Sequence, residues 1–453
     1  MEFARLVEKY NVPAPRYTSY PTVPFWENQL TPKEWMETVA RSFGESNASK
    51  GISLYFHLPF CESLCTYCGC NKRITKNHGV EGGYIDALLA EWQMYVDAFG
   101  QTPIVREIHL GGGTPTFFSP ANLERLIEGV FKSAEASPSP DFSFEGHPNS
   151  TTAAHLKTLY KLGFRRMSLG VQDFHEKVQK AINRIQPFEN VKRATDVARQ
   201  EGFRSINFDL IYGLPFQTLD IVNHTIDKVS ELMPDRIAFY SYAHVPWKAP
   251  SQRGYSEADL PESGAKRALY ETGKKRFLEI GYMDVGMDHF ALPGDDLFKA
   301  KANKTLHRNF MGYTPYPTDL LIGLGCSSIS DSNYAYAQNI KTVEEYEGKI
   351  FNGEIALFKG HMMTEEDMLV KKIILDLSCR GEVLLNSVIK DRMDEQAWAE
   401  LNEMESEGLI QTGGDVISVT NTGFAFIRNI CMVFDMRLRR NHEAREKMFS
   451  KSI

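Results

Sequence analysis

The sequence predicts an α/β protein whose sheet is mainly parallel, and two observations support that prediction. From residue 53 onward, short apolar runs alternate with longer segments whose apolar residues recur at helical spacing. Strands joined through such helices pair in parallel through right-handed crossovers, in a doubly wound sheet or in a full or partial barrel. Glycines and polar residues also gather at the carboxyl ends of successive predicted strands, where parallel α/β folds build their sites.

The N-terminal region carries few strand signals and has prolines at positions 13, 15, 21, 24 and 32. Because proline breaks helices and fixes turns, we predict an extended arm over residues 1–50 that contains one short helix at 33–43. The stretch 15–21, Pro-Arg-Tyr-Thr-Ser-Tyr-Pro, concentrates hydrogen-bonding and aromatic groups in this arm. A plain surface arm and a functional one both agree with this pattern.

Seven strands and seven helices follow, and we assign them to a catalytic domain over residues 51–360. Each strand is predicted from a short apolar run that ends at a glycine or polar cluster, and each helix from its apolar periodicity. The strands are predicted over 53–59, 107–110, 142–145, 167–171, 205–212, 236–242 and 283–287. The helices are predicted over 84–99, 121–134, 152–162, 178–183, 189–200, 220–232 and 264–280.

The last stretch, residues 361–453, changes character and is predicted to form a small, mainly helical domain. Helices over 365–378, 384–391 and 395–408 precede a hairpin over 409–419 and a helix over 422–439, an order that resembles a winged helix. DNA binding is disfavoured because the helix over 395–408 is rich in glutamate. We interpret Arg437, Arg439 and Arg440 as a solvated helix end.

Composition narrows the class of protein. The chain has 453 residues, 42% of them hydrophobic and 24% charged, and a net charge of −7, which argues against nucleic-acid binding through bulk positive charge. Its N-terminus lacks a signal peptide, and no stretch approaches membrane-spanning length, so we expect a cytoplasmic enzyme that does not act at a membrane. Seven cysteines, four of them clustered, do not fit a disulfide framework.

The clustered cysteines occupy one loop after the first predicted strand. In it, Cys61, Cys65 and Cys68 follow a CxxxCxxC spacing, and Cys70 comes two residues later. Three thiolates at this spacing suit three corners of an iron–sulfur cube and leave one iron open for chemistry. The alternative is a structural zinc held by all four cysteines, although such sites usually combine two separated pairs.

This loop resembles the signature of the radical S-adenosylmethionine superfamily. The wider stretch from Tyr55 to Lys72 narrows the resemblance to the family of oxygen-independent coproporphyrinogen III oxidases. Further motifs with the same resemblance are spread over the chain, at residues 15–21, 111–116, 170–173, 182–184, 209–215, 242–244, 286–291, 306–310 and 428–432. The resemblance implies a partial (β/α) barrel of the radical S-adenosylmethionine type.

The resemblance implies roles for individual residues. Cys61, Cys65 and Cys68 would hold a [4Fe–4S] cluster, with Cys70 a nearby residue that is not a ligand. The cluster-bound S-adenosylmethionine would contact Tyr55, Gly112, Glu145, Ala243 and Ile329. A second S-adenosylmethionine would lie near Tyr67, Gly113, Thr114, Gln172, Arg184 and Asp209.

The resemblance also implies the reaction. Cleavage of S-adenosylmethionine would give a 5′-deoxyadenosyl radical, which removes hydrogen from a substrate propionate. Loss of carbon dioxide and one electron then leaves a vinyl group, and two rounds convert coproporphyrinogen III into protoporphyrinogen IX. An electron donor and an electron acceptor are required, and we expect a monomer.

The substrate has four carboxylates, so we look for cationic partners. Our candidates are Arg16, Tyr17 and Tyr20 in the arm, together with His307 and Arg308, because arginine pairs well with carboxylates and an arm can close over a site. Structural ion pairs are the alternative for the two arginines. Two places depart from the family pattern, residues 146–149 and Met311. For His147 a polar site residue and a turn residue are both open, and we favour the turn. The other classes considered are a haem-degrading radical methyltransferase and a haem-binding chaperone, whose usual loop lacks the fourth cysteine.

Overall fold

The computed structural model describes residues 2–26, 29–247, 249–441 and residue 449. Its first part contains two helices and then a regular alternation of strands and helices. These elements are α1 (Glu2–Tyr10), α2 (Pro32–Lys50), β1 (Ile52–Leu58), β2 (Phe60–Cys61), β3 (Arg73–Ile74), α3 (Glu81–Phe99), β4 (Ile104–Gly112), α4 (Pro120–Val130), β5 (Glu135–Gly146), α5 (Ala153–Lys161), β6 (Phe164–Gln172), α6 (Glu176–Ala181), α7 (Phe188–Glu201), β7 (Ser205–Tyr212), α8 (Leu219–Leu232), β8 (Arg236–Ser241) and α9 (Ser263–Glu279).

A second group of elements extends the sheet at both edges. It comprises β9 (Met283–Gly286), β10 (His289–Ala291), α10 (Asp296–Ala302), β11 (His307–Asn309), β12 (Gly312–Thr314), β13 (Leu321–Leu324), β14 (Ile329–Asp331), β15 (Ala335–Asn339), α11 (Val343–Phe351) and β16 (Leu357–Met362). The twelve-stranded sheet has the order β16-β15-β14-β13-β1-β4-β5-β6-β7-β8-β10-β9. Strands β1 and β4 to β8 lie side by side in chain order and pair in parallel, and β13 pairs in parallel with β1.

The α/β class and the partial barrel are confirmed. Residues from the carboxyl ends of β4 to β8 and from the loop after β1 border one common cavity, so this part of the sheet is curled. The remaining pairings, from β13 to β16 and from β8 to β9, are antiparallel. None of the described helices combines the length and apolar character that crossing a bilayer requires.

The N-terminal region differs from the predicted arm. Helix α2 covers 19 residues, because Thr31 and Glu34 form a capping box at its start and Pro32 occupies the first turn. Its Trp35, Val39 and Phe43 are buried in the main core, against the sheet. Helix α1 was not predicted, and its buried Leu6 packs on the C-terminal part of the chain instead.

The C-terminal part has a winged-helix arrangement, as the helix and hairpin order predicts. Its elements are α12 (Glu365–Leu375), β17 (Glu382–Leu384), α13 (Ser387–Lys390), α14 (Glu395–Ser406), β18 (Ile410–Gly413), β19 (Val416–Val419), α15 (Ile427–Val433) and α16 (Met436–Arg440). The strands form a sheet of order β17-β19-β18, and β17 was not predicted. The predicted helix over 422–439 is divided, since Asp435 caps α16 by accepting from the backbone N–H of Leu438 at 2.8 Å.

The interpretation of the last arginines as a solvated helix end is wrong for two of the three. Arg437 donates to the buried carboxylate of Asp367 at 2.7 Å, and Arg439 donates to Glu400 at 2.8 Å. Arg440 is exposed and pairs with Glu366. The arginines of α16 therefore tie this helix to α12 and α14. The boundaries at residues 50 and 360 remain predictions.

Candidate active site

A cavity of about 480 Å³ opens at the carboxyl ends of the parallel strands. The loop after β1 and the ends of β4 to β8 supply its walls, so residues far apart in sequence meet there. The predicted site residues that border it are Cys61, Cys65, Tyr67, Cys68, Cys70, Gly112, Gly113, Thr114, Glu145, Gln172, Arg184 and Asp209. The three proposed cluster ligands and the proposed cofactor contacts thus share one space.

The cysteine loop is held at both of its ends. Strand β2 pairs in parallel with β3, which closes the loop at its base. The Nζ of Lys72 donates to the carbonyl oxygen of Cys68 at 3.0 Å, and Asn183 donates to that of Leu64 at 2.8 Å. These bonds use backbone carbonyls, so the cysteine sulfurs stay available toward the cavity.

The sulfur atoms have different surroundings. Burial raises the pKa of Cys61, whose Sγ lies 3.3 Å from the Oγ1 of Thr114, to about 11. A hydrogen bond from Cys70 lowers the pKa of Cys68, and the same interaction with Cys68, together with burial, raises the pKa of Cys70. This interaction favours the thiolate at Cys68 and the thiol at Cys70, which is consistent with the predicted division into ligand and non-ligand.

Two glycines let the end of β4 approach the cysteine loop. Gly112 has a φ of +120°, and a Cβ there would lie 2.8 Å from the backbone nitrogen of Leu58. A Cβ at Gly113 would collide with the carbonyl oxygen of Pro59 and lie 3.0 Å from the Sγ of Cys61. Only glycine fits at these two positions, so the backbone itself forms the wall beside Cys61.

The opposite wall combines a cation with a carboxylate. Arg184 donates through Nη2 to the carbonyl oxygen of Gly170 at 2.6 Å and through Nη1 to the Sγ of Cys65 at 3.4 Å. Asp209 accepts from Ser168 at 2.9 Å and from Asn207 at 2.8 Å. Burial and then the nearby charge of Glu145 raise the pKa of Asp209 to about 6.

Three predicted cofactor contacts lie behind the cavity wall. The hydroxyl of Tyr55 is 3.2 Å from the Nδ1 of His57, and its ring lies beneath Gly111. The carbonyl oxygen of Ala243 accepts from Gln252 at 3.2 Å. Ile329 packs on the Trp26 and Tyr336 cluster, two strands away from β1.

The predicted substrate-side residues lie near the carboxyl end of β8 and on β11, outside the cavity lining. Arg16 is exposed and donates to the carbonyl oxygen of Ser241 at 3.2 Å. The guanidinium of Arg308 lies 5.0 Å from the ring centre of Tyr313. Burial and then the charge of Lys371 lower the pKa of His307 to about 4, so this side chain is neutral at pH 7.

Some residues that border the cavity were not predicted as site residues, among them His147 and Tyr240. His147 does act in its turn, because its Nδ1 accepts from the backbone N–H of Asn149 at 3.1 Å. Burial and the charge of Arg184 lower the pKa of this histidine to about 3. Tyr240 belongs to no quoted motif, and its position at the end of β8 is the signal that would have found it.

Comparison with known proteins agrees with the geometry of the cavity. A sequence profile of the radical SAM superfamily matches residues 55–229, which include the cysteine loop and β1 to β7. With three cysteines facing a cavity at the ends of parallel strands, the fold and the site define a radical S-adenosylmethionine enzyme.

Relatives that match almost the whole chain identify the family. The oxygen-independent coproporphyrinogen III oxidase of Pseudomonas aeruginosa is 36% identical over 443 residues, 96% of each chain. That of Escherichia coli is 37% identical over 454 residues, 99% of this chain and 98% of the relative. The solved structure of the Escherichia coli coproporphyrinogen III oxidase, described as a radical SAM enzyme, superposes with a TM-score of 0.87 at 34% identity and covers 96% of this chain and 99% of the other. The chain belongs to the family of oxygen-independent coproporphyrinogen III oxidases.

Membership of this family also decides between the two metal sites that the sequence allows. The enzyme is an oxidoreductase that uses a [4Fe–4S] cluster and S-adenosylmethionine, and not a structural zinc. The side chains present fit these groups, because cysteine sulfurs, glycine backbone and charged side chains border one cavity.

Proposed function

We propose that the protein converts coproporphyrinogen III into protoporphyrinogen IX in haem biosynthesis, by oxidative decarboxylation of two propionate side chains without oxygen. One observation carries the proposal: a chain that aligns over 96% or more of its length with relatives of this activity places the three motif cysteines in a single polar cavity. The presence of Cys70 supports the oxidase over the chaperone, whose usual loop lacks that residue.

The reaction requires a carbon-bound hydrogen to be removed. S-adenosylmethionine bound to the reduced cluster supplies hydrogen-atom abstraction at carbon. The substrate then loses carbon dioxide from the carboxyl group and one electron to an acceptor, and a carbon–carbon double bond forms. The protein must keep the propionate aligned with the cofactor and limit the access of water, and the cavity at the strand ends is the place where it would do both.

We assign the cofactor contacts to the cavity walls. Cys61, Cys65 and Cys68 would hold the cluster, and the backbone at Gly112 would approach the amino acid part of the cluster-bound cofactor. Arg184 is suited to a carboxylate, because two hydrogen bonds hold its guanidinium at the cavity edge while Nη1 and Nη2 each keep a second N–H donor. The other proposed contacts to the first cofactor are Tyr55, Glu145, Ala243 and Ile329. A second cofactor would contact Arg184 together with Tyr67, Gly113, Thr114, Gln172 and Asp209.

We propose that the substrate carboxylates bind to the cationic side chains near the carboxyl end of β8 and on β11. Arg16 and Arg308 would bind propionates, and the neutral imidazole of His307 would donate or accept a hydrogen bond there. An external electron donor and an acceptor complete the reaction. We further propose that the protein acts as a cytoplasmic monomer, without nucleic acid or a membrane as partner.

Product analysis tests the proposed function. Protein reconstituted anaerobically with iron and sulfide is incubated with S-adenosylmethionine, a reductant, an electron acceptor and coproporphyrinogen III. We expect two molecules of carbon dioxide and one divinyl product per substrate. Methylated product without carbon dioxide would instead identify a methyltransferase, and bound haem without turnover would identify a chaperone; either result would overturn the proposal.

A further inference from the structure

One carboxylate lies beside the cavity at the carboxyl end of β8. Asp288 precedes β10, and its carbonyl oxygen accepts from the backbone N–H of Phe239 at 2.7 Å. The next residue, His289, pairs with Ala238 and places its ring 5.7 Å from that of Tyr240. Asp288 is therefore fixed next to the strand end that contributes Tyr240 to the cavity.

Two cations are anchored at the same strand end. Arg16 donates to the carbonyl oxygen of Ser241 at 3.2 Å, and Lys266 donates to that of Tyr242 at 2.7 Å. Both bonds are to neutral carbonyl groups, so they position the cations without cancelling their charge. Burial and then the charge of Arg16 lower the pKa of Lys266 to about 8, a sign that the two cations are close to one another.

A third cation, Arg308, approaches from β11 and contacts the Sδ of Met287, the residue before Asp288. Arg428 donates to the carbonyl oxygen of Pro15 at 2.9 Å and so positions the segment that carries Arg16. Burial raises the pKa of Asp288, and the charges of Arg16, Arg308 and Arg428 oppose that effect. Arg16, bound at the end of β8, and Arg308, bound to the residue before Asp288, thus lie on either side of the segment that carries this carboxylate.

This arrangement has a surplus of positive charge. In the part of the chain that the structure describes, no ion pair within 4.0 Å joins Arg16, Lys266 or Arg308 to a carboxylate. The Nε of Arg308 is buried and makes no hydrogen bond to any described residue. Cations held near one carboxylate, but not in contact with it, leave room for other anions around it.

A porphyrinogen has the complementary pattern, with four pyrrole N–H donors at its centre and carboxylates at its rim. We propose that Asp288 accepts hydrogen bonds from the pyrrole N–H groups of the macrocycle while Arg16, Lys266 and Arg308 bind propionates around it. This inference rests on the proposed function. It names the residue that recognises the pyrrole ring system itself, rather than the propionate groups attached to it.

The position of Tyr240 connects this site to the reaction cavity. Tyr240 borders the cavity together with Asp209. Burial raises the pKa of Tyr240, and the charges of Asp209, Asp288 and Glu145 act in the same direction. A macrocycle centred on Asp288 would therefore reach the cavity with one propionate past Tyr240.

The test is an Asp288→Asn variant with a matched Asp284→Asn control, since Asp284 pairs with Lys274 at 2.6 Å. Protein with its cluster is incubated anaerobically with coproporphyrinogen III, and retained substrate is measured by ultrafiltration and oxidation to the fluorescent porphyrin. We expect Asp288→Asn to weaken binding at least about tenfold, the loss of a charged hydrogen-bond acceptor. If Asp288 only balances the cations, removing its charge would tighten binding of a tetra-anion, and tighter or unchanged binding overturns the proposal.

A second probe and a second variant separate the ring from its rim. Protoporphyrinogen IX keeps the pyrrole N–H groups but has only two carboxylates. Asp288→Asn should therefore weaken the binding of coproporphyrinogen III and of protoporphyrinogen IX by a similar factor. Lys266→Gln should weaken the binding of coproporphyrinogen III more than that of protoporphyrinogen IX. This variant serves as the test if Asp288→Asn does not fold. If Lys266→Gln binds each ligand as tightly as the parent protein does, the assignment of Lys266 to a propionate is overturned. Turnover by the parent protein reports separately on the proposed function.

Discussion

Cys70 lies two residues beyond Cys68, and the two sulfurs interact. A thiol that donates a hydrogen bond to a ligand sulfur stabilises negative charge there, so it raises the reduction potential of the cluster. It does not have to bind iron to do so. This gives Cys70 a physical function that differs from that of the three proposed ligands.

We expect Cys70→Ala to keep the iron content of the parent protein and Cys68→Ala to lose the cluster. Losing one hydrogen bond of about 1 kcal/mol should lower the potential of a one-electron couple by about 40 mV. Iron analysis and a redox titration followed by electron paramagnetic resonance measure both quantities. Loss of iron from Cys70→Ala would show that all four cysteines are ligands.

Individual site residues differ in how readily the sequence reveals them. Cys61 lies in the loop after the first strand and Gly113 at a strand end, so the alternation of strands and helices already places them at one edge of the sheet, whereas the role of Arg184, which follows α6, comes only from the family resemblance. Tyr240 and His147 complete the cavity only through tertiary contacts: one is the end of a strand with no motif, and the other is also needed by its own turn. A position at a strand end is the one signal in the sequence that points to Tyr240, and the turn alone accounts for His147.

At the scale of elements, the regular βα units were predictable because each follows the spacing of its own apolar residues. Helix α1 and strand β17 were missed for a different reason. Leu6 of α1 and Val383 of β17 are buried against partners hundreds or tens of residues away, so these short elements depend on contacts that periodicity does not contain. Helix α1 packs on the C-terminal part, whereas β17 pairs with β19 inside that part, and the elements from β10 to β16 were also not predicted.

Helix α16 offers a matched pair of arginines to test how this helix is held against α12. Arg437 binds the fully buried Asp367, whose Oδ2 also lies 3.0 Å from the Nε2 of His361, whereas Arg440 binds Glu366 at the surface. Removing one partner of a buried pair costs about 3 kcal/mol or more, and an exposed pair contributes about 0 to 1 kcal/mol. We therefore expect Arg437→Met to destabilise the protein strongly and Arg440→Met to change little. Urea denaturation measures both, and equal effects would contradict the assignment.

At the scale of the whole molecule, the N-terminal segment connects the C-terminal unit to the catalytic strands. Tyr17 donates to the buried carboxylate of Asp435 at 3.0 Å, and Asn429 donates to the carbonyl oxygen of Tyr10 at 2.9 Å. The neighbouring Arg16 reaches the end of β8. Packing of the segment against the C-terminal unit thus determines where Arg16, a proposed substrate residue, lies.

Asp435 makes this packing dependent on pH. Burial, only partly opposed by the hydrogen bonds from Leu438 and Tyr17, raises its pKa to about 6 from the usual 3.8. Between these two values the folded protein binds more protons than the unfolded chain, so the stabilisation is complete below pH 4 and is lost as the pH rises through 6. From pH 5 to pH 7 the free energy of unfolding should fall by about 1 kcal/mol through this group.

Comparison with Asp435→Asn isolates that contribution, because all other titrating groups are shared. We expect the stability difference between the parent and Asp435→Asn to shift by about 1 kcal/mol in favour of the variant between pH 5 and pH 7. Urea denaturation of both proteins without their cluster, at pH 5, 6 and 7, gives this difference directly. A difference that stays constant with pH would mean that Asp435 keeps the same protonation state when the chain unfolds, and that its bond to Tyr17 is not a pH-sensitive link between the two ends of the molecule.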